Sequence, residues 1–166
     1  MAYVRTATRE DLPAIRDIYN AAGVATTATY DLEPVDLENR VAWFERLTAA
    51  GCPVLVLAEE DRVVGYAAYA PFRPHGGYRH TVEHSVYLMP GCEGNGGGTL
   101  LMLELIRRAE AAGVHVMIGV LDAANQTSRR FHHKLGFVAS AVLPQVGRKF
   151  DRWLDVVFMT RTFDGP

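Results

Sequence analysis

The sequence predicts an α/β domain built on a mixed, mostly antiparallel central sheet with helices on both faces. Three observations support this fold class. Segments with alternating apolar residues and segments with apolar residues at helical spacing follow in the order β-α-α-β-β-β-α-β-α-β-β. A strand passes through a glycine-dense turn into a helix between Thr81 and Leu101. A length of 166 residues suffices for one good core, so residues 1–166 are predicted to form a single domain.

Composition narrows the class of protein. Hydrophobic residues make up 49% and charged residues 22% of the chain, and its net charge is −2, which is the balance of an average soluble enzyme. A nucleic-acid-binding protein would show a basic excess, so no nucleic-acid partner is predicted. No apolar run reaches membrane-spanning length and the first residues do not resemble a signal peptide, so no membrane association is predicted. Two cysteines, Cys52 and Cys92, predict a reducing, cytoplasmic location.

The N-terminal half is predicted to hold three strands and two helices. Thr8 is a candidate N-cap for the first helix, with Asp11 in the capping-box position. The hydroxyl-rich segment Thr26–Tyr30 is either a surface connection or a wall of a substrate pocket. The predicted elements are a strand Tyr3–Ala7, a helix ending near Gly23, a helix Asp36–Ala49, and a hairpin of strands Val54–Ala58 and Arg62–Tyr69.

The central segment combines a strand, a turn and a helix. Val82–Leu88 alternates apolar and polar residues and predicts a strand, which Pro90 and Gly91 end. Four glycines follow at positions 94, 96, 97 and 98, and a leucine-rich helix then runs to about Ala112. Free N–H groups at the start of such a helix bind anions, usually phosphate or pyrophosphate. The glycines alone would favour a flexible strand-to-helix connection over an anion site.

The remaining segments complete the predicted sheet. Before the central strand lies the loop Pro71–Arg79, which is rich in proline, glycine, aromatic and basic residues. After the central helix the predicted order is a strand His115–Leu121, a helix Gln126–Leu135, and strands Val138–Leu143 and Leu154–Arg161. No group of histidine and acidic residues has metal-ligand spacing, so no metal site is predicted.

The glycine turn resembles a known family. The run from Glu93 to Gly98, followed by a leucine-rich helix, is similar to the acyl-CoA pyrophosphate loop of the GNAT superfamily of N-acetyltransferases, whose pattern is Gln/Arg-x-x-Gly-x-Gly/Ala. Gly96 and Gly98 match this pattern. Glu93 departs from it, because a carboxylate beside a pyrophosphate is electrostatically unfavourable unless it points to solvent or pairs with Arg107 or Arg108.

A second motif extends the resemblance along nearly the whole chain. The segment from Asn125 to Phe137 is similar to the GNAT segment in which an asparagine contacts the pantetheine arm and a tyrosine protonates the leaving thiolate. Asn125 matches the asparagine, and His132 stands at the tyrosine position. The resemblance therefore implies that His132 is the catalytic acid. The alternative is a helix surface residue beside a second histidine, His133.

Three longer segments resemble one branch of the superfamily. They run from Phe72 through Tyr87, from Pro144 to Phe150 and from Arg152 to Met159, and they are similar to the phosphinothricin / methionine sulfoximine / methionine sulfone acetyltransferases. This resemblance implies acetyl-CoA as co-substrate, a small-molecule amino-acid substrate acetylated on its α-amino group, and a homodimer.

The chemistry implied is aminolysis of a thioester. A free α-amino group has a pKa near 7.7–8.0, so a single carboxylate suffices to take its proton at neutral pH. Glu83 is predicted as this base, acting directly or through a water. The alternative is that Glu83 pairs with Arg73 or Arg79 to position substrate. Planar guanidinium groups bind carboxylates bidentately, so the two arginines are predicted to clamp a substrate carboxylate.

The resemblance then assigns the remaining site residues. The predicted cofactor contacts are Val86, Tyr87, Leu88, Gly94, Asn95, Gly96, Gly97, Gly98, Thr99 and Asn125. The predicted substrate contacts are Arg73, Gly76, Gly77, Tyr78, Arg79, Glu83, His84 and Lys149, of which Lys149 is expected to reach the partner subunit's site. The predicted catalytic residues are Glu83 and His132.

Two other functions stay open. The same fold and cofactor serve acceptors such as a polyamine, an antibiotic amine or a protein N-terminus, although an acceptor without a carboxylate would leave Arg73 and Arg79 without a role. A non-catalytic acyl-CoA sensor is the other alternative, motivated by Glu93 in the glycine turn.

Overall fold

The structure, a computed structural model, describes residues 1–164, and its elements follow in the predicted order. Seven strands and four α-helices form within these residues: β1 (Ala2–Thr6), α1 (Leu12–Ile18), α2 (Leu37–Ala49), β2 (Val54–Glu59), β3 (Arg62–Pro71), β4 (Thr81–Leu88), α3 (Gly97–Ala111), β5 (Val116–Asp122), α4 (Gln126–Lys134), β6 (Val138–Lys149) and β7 (Arg152–Thr162). The central strand and helix thus lie within a residue or two of their predicted bounds.

The strands form one sheet in the order β1-β2-β3-β4-β5-β7-β6. β4 and β5 run parallel, and the other neighbouring strands run antiparallel. A parallel pair needs a crossover connection, which α3 provides. The predicted mixed, mostly antiparallel sheet is confirmed. Its order places β4 at the middle of the sheet, so the loops at both ends of β4 lie centrally.

Apolar cores cover both faces of the sheet. One core packs around α3 and includes Val82 of β4. The other packs around α1 and α2, with Tyr87 of β4 at its margin. Successive residues of a strand point to opposite faces, so β4 directs His84 toward the α3 side and Glu83 toward the α1 side. The two predicted site residues are adjacent in sequence and separated by the sheet.

The first helix changes its winding before it ends. The side chain of Asp11 accepts a hydrogen bond from the Thr8 N–H at 2.7 Å, which is half of the predicted capping box. α1 is α-helical to Ile18 and continues as a π-helical turn, Tyr19–Val24, so the helical segment as a whole ends where predicted. π-Helical turns are frequent at functional sites, and this one leads directly into the Thr26–Tyr30 segment.

The C-terminal hairpin is longer than predicted. β6 and β7 extend to Lys149 and Arg152 and are joined by the two-residue turn Phe150–Asp151. Both turn residues have positive φ, 52° and 58°, which is the type I′ conformation that glycine or asparagine usually supplies. β6 shifts register between Leu143 and Gly147. It forms the edge of the sheet, where its Pro144 costs no ladder hydrogen bond.

Candidate active site

The parallel pair β4–β5 opens into a fork. Its pairing begins at Thr81 and stops where His84 lies opposite Gly119. Beyond that point β4 stays paired with β3 as far as Leu88, while β5 follows β7 as far as Asp122. The predicted splay of β4 around Val86–Leu88 is therefore present, and a wedge-shaped gap separates the second halves of the two strands.

Backbone amides of β4 point into this fork. The Met89 N–H donates to the Val64 carbonyl at 2.8 Å, on the β3 side. Alternate residues of a strand direct their N–H groups to opposite neighbours. The N–H groups of Val86 and Leu88 consequently face the β5 side, beyond the last β4–β5 pair. These two donors are available for a ligand, as the prediction for a pantetheine arm requires.

The glycine turn leads to the same end of β4. Gly91, Gly94 and Gly96 have φ of 89°, 84° and 82°, a conformation that other residues rarely adopt. A side chain at Gly94 or Gly96 would meet nothing within 4 Å, so the space beside the turn is open. α3 begins at Gly97, and its first N–H groups have no partner within the helix. This geometry suits an anion such as a pyrophosphate.

Packing explains one of the glycines in the turn. A Cβ at Gly97 would lie 2.5 Å from Cδ2 of Leu57, whose side chain is buried in the α3 core. The absence of a side chain at Gly97 therefore lets α3 approach the sheet. Gly98 leaves ordinary contact distances of 3.4 Å and more to Phe131. Asn95 and Thr99 are exposed on either side of the helix start.

Glu93 is accommodated within its own turn. Its Oε2 accepts a hydrogen bond from the Gly91 N–H at 2.7 Å. Of the two alternatives for Glu93, pairing with Arg107 or Arg108 does not occur, because both guanidinium groups bind Glu104 at 2.8 Å. The helical spacing of three and four residues from Glu104 favours those pairs. Glu93 is exposed, and its carboxylate binds the backbone of its own turn.

Glu83 is half-buried on the α1 side of the sheet. Burial raises the pKa of its carboxyl, and the nearby charge of Arg73 opposes that rise. Arg73 itself is exposed, with its guanidinium 5.1 Å from the Phe72 ring. Arg79 is also exposed and lies just after the short turn Gly76–Tyr78. The structure brings Arg73 within electrostatic reach of Glu83 and leaves both arginines open to a ligand.

His132 is buried and hydrogen-bonded through both ring nitrogens. Its Nδ1 lies 2.8 Å from the Ser128 carbonyl oxygen, and its Nε2 lies 3.1 Å from Nε2 of His84. The alternative that placed His132 on the helix surface is wrong, since only 2% of the residue is exposed. Burial lowers the pKa of both histidines, that of His84 to about 3.

Three other residues that were predicted to contact the cofactor or the substrate already make contacts within the chain. Asn125 caps α4 by accepting the Ser128 N–H at 3.0 Å, which leaves its amide NH₂ for a ligand. Tyr87 packs its ring edge-on against Tyr19 on the side of the sheet away from α3. Lys149, 4% exposed, donates to the carbonyls of Thr26 and Thr29 at 2.6 and 2.8 Å, so its ammonium is bound inside its own subunit.

Sequence reasoning missed what holds the segment from Thr26 to Asp31 in place. Besides Lys149, the Thr27 hydroxyl donates to Asp122 at 2.6 Å, at the open end of β5. The Tyr30 hydroxyl donates to the Asp155 carbonyl. Tyr30 also packs against Gly147, where any side chain would clash with its ring. The segment is therefore tied across the fork on the α1 side, and we call it the strap.

A separate cavity lies away from these residues. Its volume is about 400 Å³, and it is lined by the ends of β1, α2 and α3, by the loop before β2, and by Val54 and Tyr69 of the sheet. None of the predicted site residues lines it. Among residues 1–164, no three His, Cys, Asp or Glu side chains converge to hold a metal ion. No helix in the same range is both long and apolar enough to cross a bilayer.

The forked strand pair beside a glycine-led helix places the protein among the acyltransferases. Comparison identifies the group: residues 12–137 match the acetyltransferase (GNAT) family. The chain belongs to this family. The predicted fold and the predicted assignment as an acetyltransferase are both confirmed.

Full-length relatives support this assignment. L-amino acid N-acyltransferase MnaT of Escherichia coli is 47% identical over 161 residues, 97% of this chain and 94% of the relative. L-methionine sulfoximine/L-methionine sulfone acetyltransferase of Pseudomonas aeruginosa is 46% identical over 164 residues, 98% and 95% of the two chains. A solved acetyltransferase of Salmonella typhimurium with its cofactor acetyl-CoA matches with a TM-score of 0.97 and 43% identity, covering 100% of this chain and 96% of that one.

Proposed function

We propose that the protein transfers the acetyl group of acetyl-CoA to the α-amino group of a small amino acid of the methionine sulfone, methionine sulfoximine or phosphinothricin type. The observation that carries this proposal is the placement of Glu83 with its raised pKa within reach of the exposed Arg73. A base for the amine and a cation for the carboxylate are then present at one site. The names of the relatives at 46–47% identity support the same substrate class.

The residues around the fork fit acetyl-CoA. The open space at Gly94 and Gly96 and the first amides of α3 suit its pyrophosphate. The N–H group of Leu88 suits an amide carbonyl of its pantetheine arm, and that of Val86 lies nearer the closed end of the fork. Acetyl-CoA supplies the activated acetyl group as a thioester. The hydrogen bond from the Gly91 N–H to Glu93 explains how a carboxylate is tolerated in the turn.

Glu83 is the proposed general base. An α-ammonium group must lose a proton before it attacks, and its pKa is near 7.7–8.0. Because burial raises the pKa of Glu83, the carboxylate is a better proton acceptor than an exposed one. It accepts the proton directly or through a water. An amide N–H at the fork, such as that of Val86, is placed to stabilise the negative charge that develops on the acetyl oxygen.

Substrate preference tests the proposal. A bidentate, charge-assisted contact contributes roughly 1.5–3 kcal/mol, or about 10- to 150-fold in binding. The kcat/KM for methionine sulfone should exceed that for its decarboxylated amine by about this factor, as measured by thiol release from acetyl-CoA. The preference should disappear in Arg73→Ala or Arg79→Ala. It should persist in Arg62→Ala, which removes an exposed arginine at the start of β3.

Equal rates with acid and amine would favour the polyamine or antibiotic alternative. No thiol release with any amine would favour the acyl-CoA sensor.

A homodimer in the cytoplasm completes the proposal. The exposed apolar side chains of the terminal hairpin lie on the edge strand β6, in its turn and at the start of β7: Val138, Val142, Leu143, Val146, Phe150 and Trp153. Exposed apolar edges favour association, and a second copy of the chain is the proposed occupant. Trp153→Arg should shift sedimentation toward the monomer. Tyr3→Arg, at the opposite edge of the sheet, should not, and an unmodified protein that sediments as a monomer would refute the dimer.

A further inference from the structure

Two buried histidines lie at the closed end of the fork. His84 of β4 and His132 of α4 stack with their ring centroids 5.0 Å apart and their planes inclined by 24°. Their Nε2 atoms are 3.1 Å apart. A Cβ at Gly119 would lie 2.8 Å from the Nε2 of His84 and 3.2 Å from that of His132. The last residue of β5 that pairs with β4 must therefore be glycine for the two rings to meet.

Hydrogen bonding fixes the proton positions in the pair. A carbonyl oxygen only accepts hydrogen bonds, so the Nδ1 of His132 carries the proton that it donates to Ser128. A neutral His132 then has a lone pair on Nε2. Since two lone pairs would repel each other at 3.1 Å, the Nε2 of His84 carries a proton and donates it to His132. The Nδ1 of His84 is left as a bare acceptor, and this buried atom has no hydrogen-bond partner.

The surroundings keep both rings neutral. Phe137 packs edge-on against both rings, and Phe131 packs edge-on against His132. β5 contributes Gly119 at the contact. Within residues 1–164, the charge-bearing group that acts on His84 is His132, and burial is the main influence on His132 itself. Of the carboxylates on the two strands beside the pair, Glu83 points to the opposite face of β4, and Asp122 accepts the Thr27 hydroxyl at the open end of β5, so neither stabilises an imidazolium.

We propose that His84 is a positioning residue for His132. The Nε2–H of His84 donates to the Nε2 lone pair of His132 and thereby fixes His132 as the neutral Nδ1–H tautomer. This inference deepens the proposed acetyl transfer and rests on it. In the resting enzyme the Nε2 of His132 then has no proton to give to a leaving thiolate, and its Nδ1 proton is bound to the Ser128 carbonyl. Any proton that enters the pair must first reach Nδ1 of His84, the only ring nitrogen of the two that lacks a partner. The tautomer of an active-site histidine controls turnover strongly in other enzymes.

Nitrogen NMR of histidine-labelled protein tests the tautomers without reference to activity. Ring nitrogens with and without a proton have well separated chemical shifts. We expect protonated Nδ1 and bare Nε2 for His132, the reverse for His84, and titration of both rings only below the ordinary pKa of histidine. A protonated Nε2 on His132, or titration of either buried ring near its ordinary pKa, would overturn the inference.

Variants of His84 test its effect on His132. His84→Gln retains an amide N–H that can donate to His132, whereas His84→Leu removes the donor. In the leucine variant we expect His132 to lose its single tautomer and kcat to fall by about 10²-fold, with the KM for acetyl-CoA nearly unchanged. The glutamine variant should recover most of kcat and keep His132 as the Nδ1–H tautomer. His133→Gln, on the same helix, should change none of these quantities.

The outcomes separate this inference from the proposed function. An active leucine variant with unchanged kcat and an unchanged His132 tautomer would refute a positioning role for His84. If the leucine variant does not fold, the glutamine variant and the NMR pattern of the unmodified protein still decide. If the unmodified protein releases no thiol with any amine, the proposed function fails, while the tautomer pattern stands or falls by its own measurement.

Discussion

Glu83 shows how one side chain is tuned by its position in a strand. The residue lies on the α1 side of β4, half-buried, where desolvation raises the pKa of its carboxyl and Arg73 counteracts part of that rise. Because its pKa is raised in the folded protein, the Glu83 carboxylate becomes protonated at a higher pH than the carboxylate of an ordinary glutamate does. The acidic limb of the rate profile is therefore expected above the ordinary pKa of glutamate.

Replacing Glu83 by glutamine tests this role. Glu83→Gln retains the shape and removes the proton acceptor, so kcat at pH 7 should fall by about 10²-fold or more. The deficit should shrink at high pH, where more of the amine is already neutral. A pH–rate profile of both proteins, with the acetyl-CoA KM as a control for correct folding, gives the measurement. An unchanged kcat at pH 7 would exclude Glu83 as the base.

Glu93 offers a second prediction for a single side chain. Glu93→Gln preserves an acceptor for the Gly91 N–H and removes a negative charge near the pyrophosphate site. Exposed charge pairs contribute about 0.2–1 kcal/mol, so acetyl-CoA should bind up to about fivefold more tightly, and more so at low salt. Calorimetry at two ionic strengths measures this. Glu93→Ala, which loses the hydrogen bond as well, should gain less. Identical affinities in all three proteins would mean that the charge is fully screened.

The strap, Thr26–Asp31, depends on an element distant in sequence. Lys149 at the end of β6 reaches back to bind the carbonyls of Thr26 and Thr29. Burial lowers the pKa of its ammonium, and Asp31 counteracts this. Loss of the ammonium would leave these two part-buried carbonyls without their donor, which costs about 1–3 kcal/mol where no water replaces it. The strap is therefore held over the fork mainly by contacts with the terminal hairpin and β5.

Lys149→Met tests the strap as part of the acceptor site. The change retains the length of the side chain and removes both hydrogen bonds, so the strap should loosen. We expect kcat/KM for the amino acid to fall by at least about 10-fold, because small misplacements of a pocket wall are costly. The KM for acetyl-CoA should change little. Lys134→Met, on the exposed side of α4, is the matched control. Equal losses for both co-substrates would indicate general destabilisation instead.

The bounds of elements with strong periodicity were predictable from the sequence. Those of the terminal hairpin, β6 and β7, were not. The predicted bounds of the central strand and of α3 agree with the observed ones, because the alternation, the glycines and the leucine-rich face all indicated the same bounds. The extension of β6 and β7 was not predictable, because Phe150 and Asp151 adopt positive φ without the glycine that marks such a turn. The anchoring role of Lys149 was likewise hidden, since it depends on how that hairpin folds back onto the strap.

At the scale of the whole molecule, the neutral histidine pair links stability to pH. In the unfolded chain each histidine has a pKa near 6.5, whereas burial in the folded protein lowers both, that of His84 to about 3. Between these values the unfolded state binds more protons. Stability is therefore complete above about pH 6.5 and is lost as the pH falls toward the folded values, by about 1.4 kcal/mol per pH unit for each histidine.

Denaturation at several pH values measures this dependence. The free energy of unfolding should decrease from pH 7 to pH 5, and the slope should be shallower in His84→Gln. His133→Gln should keep the slope of the unmodified protein, because His133 is exposed. A slope that is the same in all three proteins would assign the acid sensitivity to other groups.

The sequence indicated the parts of the candidate site and not the contacts between them. Motif resemblance indicated Glu83, His132, Asn125 and the glycine turn. It did not indicate that His84 and His132 touch, because strand alternation and helix rotation fix that contact only after β5 is placed between them. The role of Gly119 follows from the same three-dimensional arrangement and leaves no local mark in the sequence.

The fork between β4 and β5 has a consequence for amide hydrogen exchange. Along β4, the amides of Val82 and His84 face β5 where the strands are paired, and those of Ser85 and Tyr87 face β3. The amides of Val86 and Leu88 face the open gap. Although β4 is a central strand, its amide protons at Val86 and Leu88 should therefore exchange quickly, and those at its paired positions should exchange slowly. Filling the gap with acetyl-CoA should slow those two amides selectively, which makes them internal reporters of the bound state.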